Sequence, residues 1–230
     1  MRVPGLTSLV HTATPLSALV GALAAGLFAA LVAAMLLAWA IFSPAAAMAF
    51  STHTLPDGQR IVLAKGSVAE GDADSLRSAL ASADRDASGY KILALDSPGG
   101  LIIEAFAMVD VMNKERVSTV VLADASCASA CAQVLFLSGS HRTIEGSGRL
   151  GLHSCHTAGD TSRSIMCNEL IAQNAAAHGT PYGTIMAFMQ MTAATDMRWL
   201  SAFEADCWGF TKWPTAPSGA TRPPPVQACF

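Results

Sequence analysis

Charge is what this sequence has least of. Acidic and basic side chains make up 13% of its 230 residues, against about 25% in an ordinary soluble domain. The shortage is confined to one end: Arg2 is the only charged residue before Asp57, and residues 51–230 hold the other 30. A basic excess is also missing, with 14 Lys and Arg against 17 Asp and Glu, which excludes an electrostatic nucleic-acid binder. There is one long hydrophobic run, not several, so a multi-span transporter is excluded. With 52% hydrophobic residues the chain is too apolar for intrinsic disorder. No internal repeat is present. What is left is one globular domain behind a membrane-targeting segment.

Residues 16–42 form a 27-residue run without charge, longer than the roughly 20 apolar residues that cross a bilayer. Ser43-Pro44 follows, and then Ala47-Met48-Ala49, a small-x-small pattern that a signal peptidase can cut before Phe50. A retained single-span anchor and a cleaved signal both fit. Either way the positive charges, Arg2 and the amino terminus, precede the run, so the residues after 50 are expected on the exported, periplasmic or extracytoplasmic side. The expected organisation is thus a targeting segment at 1–50, an α/β domain at 51–213 and a Pro-rich tail at 214–230.

Six cysteines fit that compartment: Cys127, Cys131, Cys155, Cys167, Cys207 and Cys229. An even number in an oxidising space predicts disulfides, without fixing which thiols pair. An i,i+4 bridge between Cys127 and Cys131 inside a regular helix is geometrically awkward. Pairing of either with Cys155, Cys167 or Cys207 is equally open.

Residues 60–63 are short and β-prone, and 66–86 read as a turn into a helix with Leu76, Ala79, Leu80 and Ala83 at helical spacing. Residues 91–95 are a continuous apolar strand, 102–112 a helix, and 117–122 a Val-rich strand suited to burial on both faces. Residues 128–137 read as a small-residue helix and 151–153 as a short extended piece. Two more helices are predicted near 164–177 and 182–191, separated by Gly179-Thr180-Pro181. The alternation predicts an α/β domain with a mostly parallel sheet.

Three stretches at strand ends carry candidate chemistry. In Asp96-Ser97-Pro98-Gly99-Gly100, Pro98 stops the strand and the paired glycines allow positive φ and close approach of a ligand. N–H groups there can bind an anion or a developing oxyanion. In Ser126-Cys127-Ala128-Ser129-Ala130-Cys131, a serine among alanines at a helix start can stand on a sharp turn with its hydroxyl exposed. The bland reading is a helix cap. In Leu150-Gly151-Leu152-His153-Ser154-Cys155-His156, a histidine can take the serine proton, with His153 the first choice and His156 the reserve.

Taken in order, these stretches resemble the Clp protease proteolytic subunit and its relatives in the ClpP/crotonase superfamily, closest to exported bacterial members. The likeness runs over about residues 58–210, through Trp199-Leu200-Ser201-Ala202-Phe203-Glu204-Ala205 to Gly209-Phe210. It implies a spiral of ββα units, with Ser129 as nucleophile and His153 as general base and acid. It further implies an oxyanion hole from the N–H groups of Gly99, Gly100 and Ala130. The family's third member, an aspartate, falls on Met197 in this sequence, and Asp196 serves only if the loop shifts by one residue. The resemblance implies a serine endopeptidase in a homo-oligomer, without a cofactor or a metal. An exported enzyme would act on flexible peptides or unfolded polypeptides, with no ATPase partner and no nucleic acid.

Three rival readings use the same residues. Cys127, Cys131, His153, Cys155 and His156 are zinc-ligand types, but in no recognised zinc spacing. A binding or scaffold protein with an impaired site is favoured by Met197. A Ser–Lys peptidase would need one of Lys65, Lys91, Lys114 or Lys212 in a matching motif, and none is. Met186, Met189, Met191 and Met197 read as adaptable packing surface.

Overall fold

The computed structural model describes residues 47–156 and 162–214. The apolar run at 16–42, the tail from 215 onward and residues 157–161 lie outside them. The chain divides into two compact units, Met1–Ala45 and Ala46–Phe230, and the account below concerns the second. Among the described residues no helix is long and apolar enough to cross a membrane.

Strand β1 (Ala49–Thr54) folds back on β2 (Arg60–Lys65) as an antiparallel hairpin. The sequence pattern misses β1 because it has little apolar alternation and lies almost wholly exposed at the sheet edge. From β2 onward the pairing is parallel: β2 with β3 (Lys91–Asp96), β3 with β4 (Val117–Val121), and β4 with β6 (Arg142–Ile144). All five residues of β4 are buried, as expected of a strand covered on both faces.

Helix α1 (Asp72–Leu80) and α2 (Ile102–Glu115) cover one face. Leu76, Leu80, Met108 and Met112 pack there with Val62, Leu93, Leu95 and Val121. Each such side chain contributes about 1.5–3 kcal/mol on full burial. Ile61, Ala94 and Val120 form a smaller cluster of their own.

A second sheet holds the site. Its order is β5 (Ser126–Ala128), β7 (Arg149–Leu152) and β8 (Arg198–Ser201), with β5 parallel and β8 antiparallel to β7. A single bridge, Ser97 to Cys127, ties it to the end of β3. Helices α3 (Ile165–Ala177), α4 (Tyr182–Met191) and α5 (Ala202–Cys207) complete the domain. The sequence pattern places α3 and α4 to within a residue. It fails at 128–137, where Ser126–Ala128 is strand and Cys131–Leu135 is a wide π-type winding that tightens to a 3₁₀ turn at Phe136–Ser138.

One buried charge locks these parts together. Arg142 is 1% exposed and donates through Nε to the Phe210 carbonyl at 2.8 Å. Its guanidinium also reaches the carbonyls of Leu137 (3.0 Å) and His178 (2.9 Å). Burial lowers its pKa to about 10, so it stays charged at neutral pH with carbonyl dipoles as partners. Replacing it strands three carbonyls, each costing about 1–3 kcal/mol. Arg142→Leu is therefore expected to destabilise the domain by about 3 kcal/mol or more, measured as a lowered midpoint in urea unfolding.

Candidate active site

The site begins with a break in the backbone. Strand β5 runs parallel to β7 in the register Ser126–Arg149, Cys127–Leu150 and Ala128–Gly151. The next residue, Ser129, turns to φ 54° while its N–H still donates to the Gly151 carbonyl at 2.9 Å. A non-glycine residue held in the left-handed region costs about 1–3 kcal/mol. That bend throws the side chain off the sheet and starts the helical winding at once. The Cys127–Cys131 disulfide spans the turn, with Cα atoms 5.3 Å apart. The objection to an i,i+4 bridge assumed a regular helix. Here Cys127 is still strand and Cys131 is the first helical residue, so the left-handed Ser129 between them brings the sulfurs together.

The Ser97–Gly100 strap lies directly against this turn. Ser97 donates its N–H to Ser126 and accepts from Ala128, at 2.8 and 2.9 Å. Gly99 has φ 92°, and a Cβ placed there would stand 2.7 Å from both Ser129 Cβ and the Ala128 carbonyl. Only glycine allows that approach. Of the three proposed oxyanion donors, Gly99 is already engaged, since its N–H donates to Ser97 Oγ at 3.1 Å. The N–H groups of Gly100 and Ala130 have no acceptor among the described residues. These two are the donors available to a developing negative charge, and Gly99 shapes the turn that presents them.

His153 follows β7 and is 6% exposed. Its Nε2 stands 2.7 Å from Ser129 Oγ. Burial, and secondarily the charge of His156, lower its pKa, while the backbone of Ser154 and Ala194 offsets part of the shift. A neutral imidazole at neutral pH suits a base. Accepting from Ser129 at Nε2 puts the ring proton on Nδ1. That Nδ1 is buried without a hydrogen-bond partner among the described residues. The Ala194 backbone is near enough to favour the charged ring, but not in hydrogen-bond geometry. His156, the reserve base, is exposed with its ring centroid 5.9 Å from that of His153.

Among the described residues no carboxylate orients the ring. Asp196 is exposed and turns inward on its own loop, its Oδ1 accepting from the Met197 N–H at 2.8 Å. With that carboxylate oxygen turned to Met197, the one-residue shift on which Asp196 depended as the third member is not seen. The β7–β8 ladder pairs Leu152 with Arg198, and His153 and Met197 stand at its next step. The position that faces the histidine thus carries a thioether. Met197 Sδ fills the space over Gly151, 2.7 Å from where a Cβ would be.

Two side chains missed in the sequence hold the His153 segment from behind. Gln133, 2% exposed, donates Nε2–H to the His153 carbonyl at 2.9 Å and faces the His153 N–H through Oε1 at 3.4 Å. Asn168, also 2% exposed, accepts from the Cys155 N–H at 2.7 Å and donates to Ser154 Oγ at 3.0 Å. The signal for Gln133 is a lone amide in an otherwise apolar winding, whereas Asn168 shares its helix with Glu169, Gln173 and Asn174 and nothing in the sequence sets it apart. A second disulfide, Cys155–Cys167, fastens the same loop to α3. With Cys127, Cys131 and Cys155 all in disulfides, the thiolates that a zinc site would draw on are consumed.

Residues 48–159 match the family described as Clp protease. The stretch bearing the glycine strap, Ser129 and His153 therefore belongs to the ClpP/crotonase-like superfamily. No curated protein matches the sequence.

The electrostatics give a direct expectation. An NMR titration of the His153 ring should have its midpoint below the ordinary 6.5. His156→Asn should move it upward by removing a neighbouring charge. Because the folded-state pKa is the lower one, the unfolded chain takes up this proton first. The stability from keeping His153 neutral is fully present above the ordinary value and declines as pH falls through it toward the folded value. A midpoint above the ordinary value would contradict the burial argument.

Proposed function

We propose that this member of the ClpP/crotonase-like superfamily is a serine peptidase that cleaves peptide bonds through an acyl-enzyme. The observation that carries the reading is the 2.7 Å contact between Ser129 Oγ and His153 Nε2, made by a serine in a left-handed turn. Ser129 Oγ attacks the scissile carbonyl carbon as His153 Nε2 takes its proton. The oxyanion forms beside the N–H groups of Gly100 and Ala130. His153 then passes the proton to the leaving amine, and the C–N bond breaks. Water, deprotonated by the same Nε2, releases the acyl group and restores Ser129.

The site works as a dyad in this reading. Losing the orienting acid weakens a triad by orders of magnitude and leaves the oxyanion hole and substrate binding to supply the remainder. Slow turnover of flexible or unfolded polypeptides fits such a site. The family acts on peptides and assembles into oligomers, and we extend an oligomer to this chain as part of the proposal.

The proposed location is the exported side of a membrane, with no ATPase partner. It is supported by the apolar run at 16–42 ahead of the domain and by disulfides beside both reacting residues. Met48 bears on how that run ends. It is 4% exposed within the core, and its N–H donates to Asp72 at 3.4 Å. Cleavage before Phe50 would delete it, which favours an anchor or a cut upstream of Met48.

A second reading, a binding protein on the same fold, draws on Met197 and the unpartnered Nδ1. A fluorophosphonate probe separates the two. The wild type is expected to be labelled and Ser129→Ala not. Absence of labelling in folded wild-type protein would leave the binding reading. The disulfide gives a further expectation. Replacing Cys127 and Cys131 by alanine frees the turn and should slow labelling by about 10–100-fold, the range that a displacement of about 1 Å produces. An unchanged labelling rate would show that the turn holds itself.

A further inference from the structure

Among the described residues the reacting histidine has no acid at Nδ1, yet its Nε2 is held at hydrogen-bond distance from the serine. Something else fixes the ring. We infer that Gln133 is the positioning residue of this site, holding the base through its backbone where a carboxylate would hold it through Nδ1. The inference rests on Ser129 and His153 being nucleophile and base.

The connections run both ways from Gln133. Its own N–H donates to the Ser129 carbonyl at 2.8 Å, so the residue is tied to the nucleophile turn. Its side-chain amide meets the donor and the acceptor of one residue, His153. A primary amide is suited to this, because it presents a donor and an acceptor side by side and carries no charge. No other side chain hydrogen-bonds to the backbone of His153 among the described residues. The link is buried, so water does not compete with it.

The neighbouring hydrogen bonds limit what else His153 can do. Ser154 donates its N–H to the Thr192 carbonyl at 3.0 Å, and Asn168 holds Ser154 and Cys155. These bonds fix the residues after the base. Beside the backbone bond from the Ser129 N–H to the Gly151 carbonyl, Gln133 is the side chain that relates the base to the serine, since its helical winding starts from Ser129. Losing its two side-chain bonds leaves that strand pairing in place and loosens the His153 end of the serine–histidine contact.

The role is distinct from that of a general packing residue, and a carboxyl substitution exposes it. In Gln133→Glu the protonated acid reproduces both contacts, its O–H donating to the His153 carbonyl and its C=O accepting the N–H. The ionised form keeps only the acceptor and repels the carbonyl. The labelling rate of Gln133→Glu should therefore gain an alkaline limb that wild type lacks, with near wild-type rates on its acid side. Gln133→Met keeps the shape and loses both bonds, and should label about 10–100-fold more slowly at every pH.

The test measures second-order rates of fluorophosphonate labelling against pH for wild type, both variants, Ser129→Ala and Asn174→Ala. Asn174→Ala removes another hydrogen bond, from Asn174 to Ser138, and should lower stability without slowing labelling. NMR titration of His153 provides a readout independent of labelling. In Gln133→Met its midpoint should move up toward the ordinary imidazole value as the ring loosens into water. Equal rates and an unmoved titration in the two Gln133 variants would overturn the inference. So would equal slowing in Asn174→Ala. If Gln133→Met does not fold, the alkaline limb of Gln133→Glu decides alone. Wild-type protein labelled equally with and without Ser129 would instead remove the peptidase reading itself.

Discussion

The site depends on one strained residue. Ser129 occupies a backbone region that disfavours any side chain, and each feature around it follows from that conformation. Because the chain turns there, β5 ends facing β7 and the helical winding starts two residues later. The same turn lets Cys127 and Cys131 meet, and gives Gln133 a path back to the base. The strain is held by contacts on three sides: the Gly151 carbonyl, the glycine strap and the disulfide. The lack of a side chain at Gly99 is what allows the strap to press so closely.

Burial does two opposing things to the base. It lowers the basicity of His153, which keeps the imidazole neutral and ready to accept a proton. It also deprives the imidazolium that the proposed attack would form of solvent, and among the described residues no counter-charge stands at Nδ1. In a full triad the second effect is offset by a carboxylate at Nδ1. Here the ladder position that would supply it is filled by Met197, whose soft side chain packs over Gly151. The geometry of the dyad is preserved while its electrostatic support is reduced. A slow hydrolase and a binding protein lie on either side of that balance.

Much of this was legible in the sequence because it depends on local chemistry. Pro98 and the glycines announce a strand ending in a strap. Val117–Val121 announces a strand buried on both faces. Ser129 and His153 were visible through their spacing relative to that strap and to each other. What escaped was set by tertiary contacts. Residues 126–130 have the composition of a helix start, and only the register with β7 makes them strand and turn. The first hairpin strand is polar and exposed, so no periodicity marked it. Gln133 read as one polar residue in an apolar winding, since its partner lies twenty positions away. Asp196 lies one residue before the family's position, and after a turn through Ala193 its carboxylate takes the Met197 N–H instead.

The two disulfides beside the site connect its chemistry with the proposed location. Each lies next to one reacting residue: Ser129 is enclosed between Cys127 and Cys131, and His153 precedes Cys155 by two positions. A reduced chain would still have its five-stranded sheet, whose strands contain neither bridge, although Cys127 and Cys131 are part of the buried core. It would lack the covalent ties on the turn and on the loop. On the proposed exported side both bridges would form, and oxidation would fasten the turn that presents Ser129 and the loop that follows His153. A site braced in that way matches the compartment where its polypeptide substrates are proposed to be.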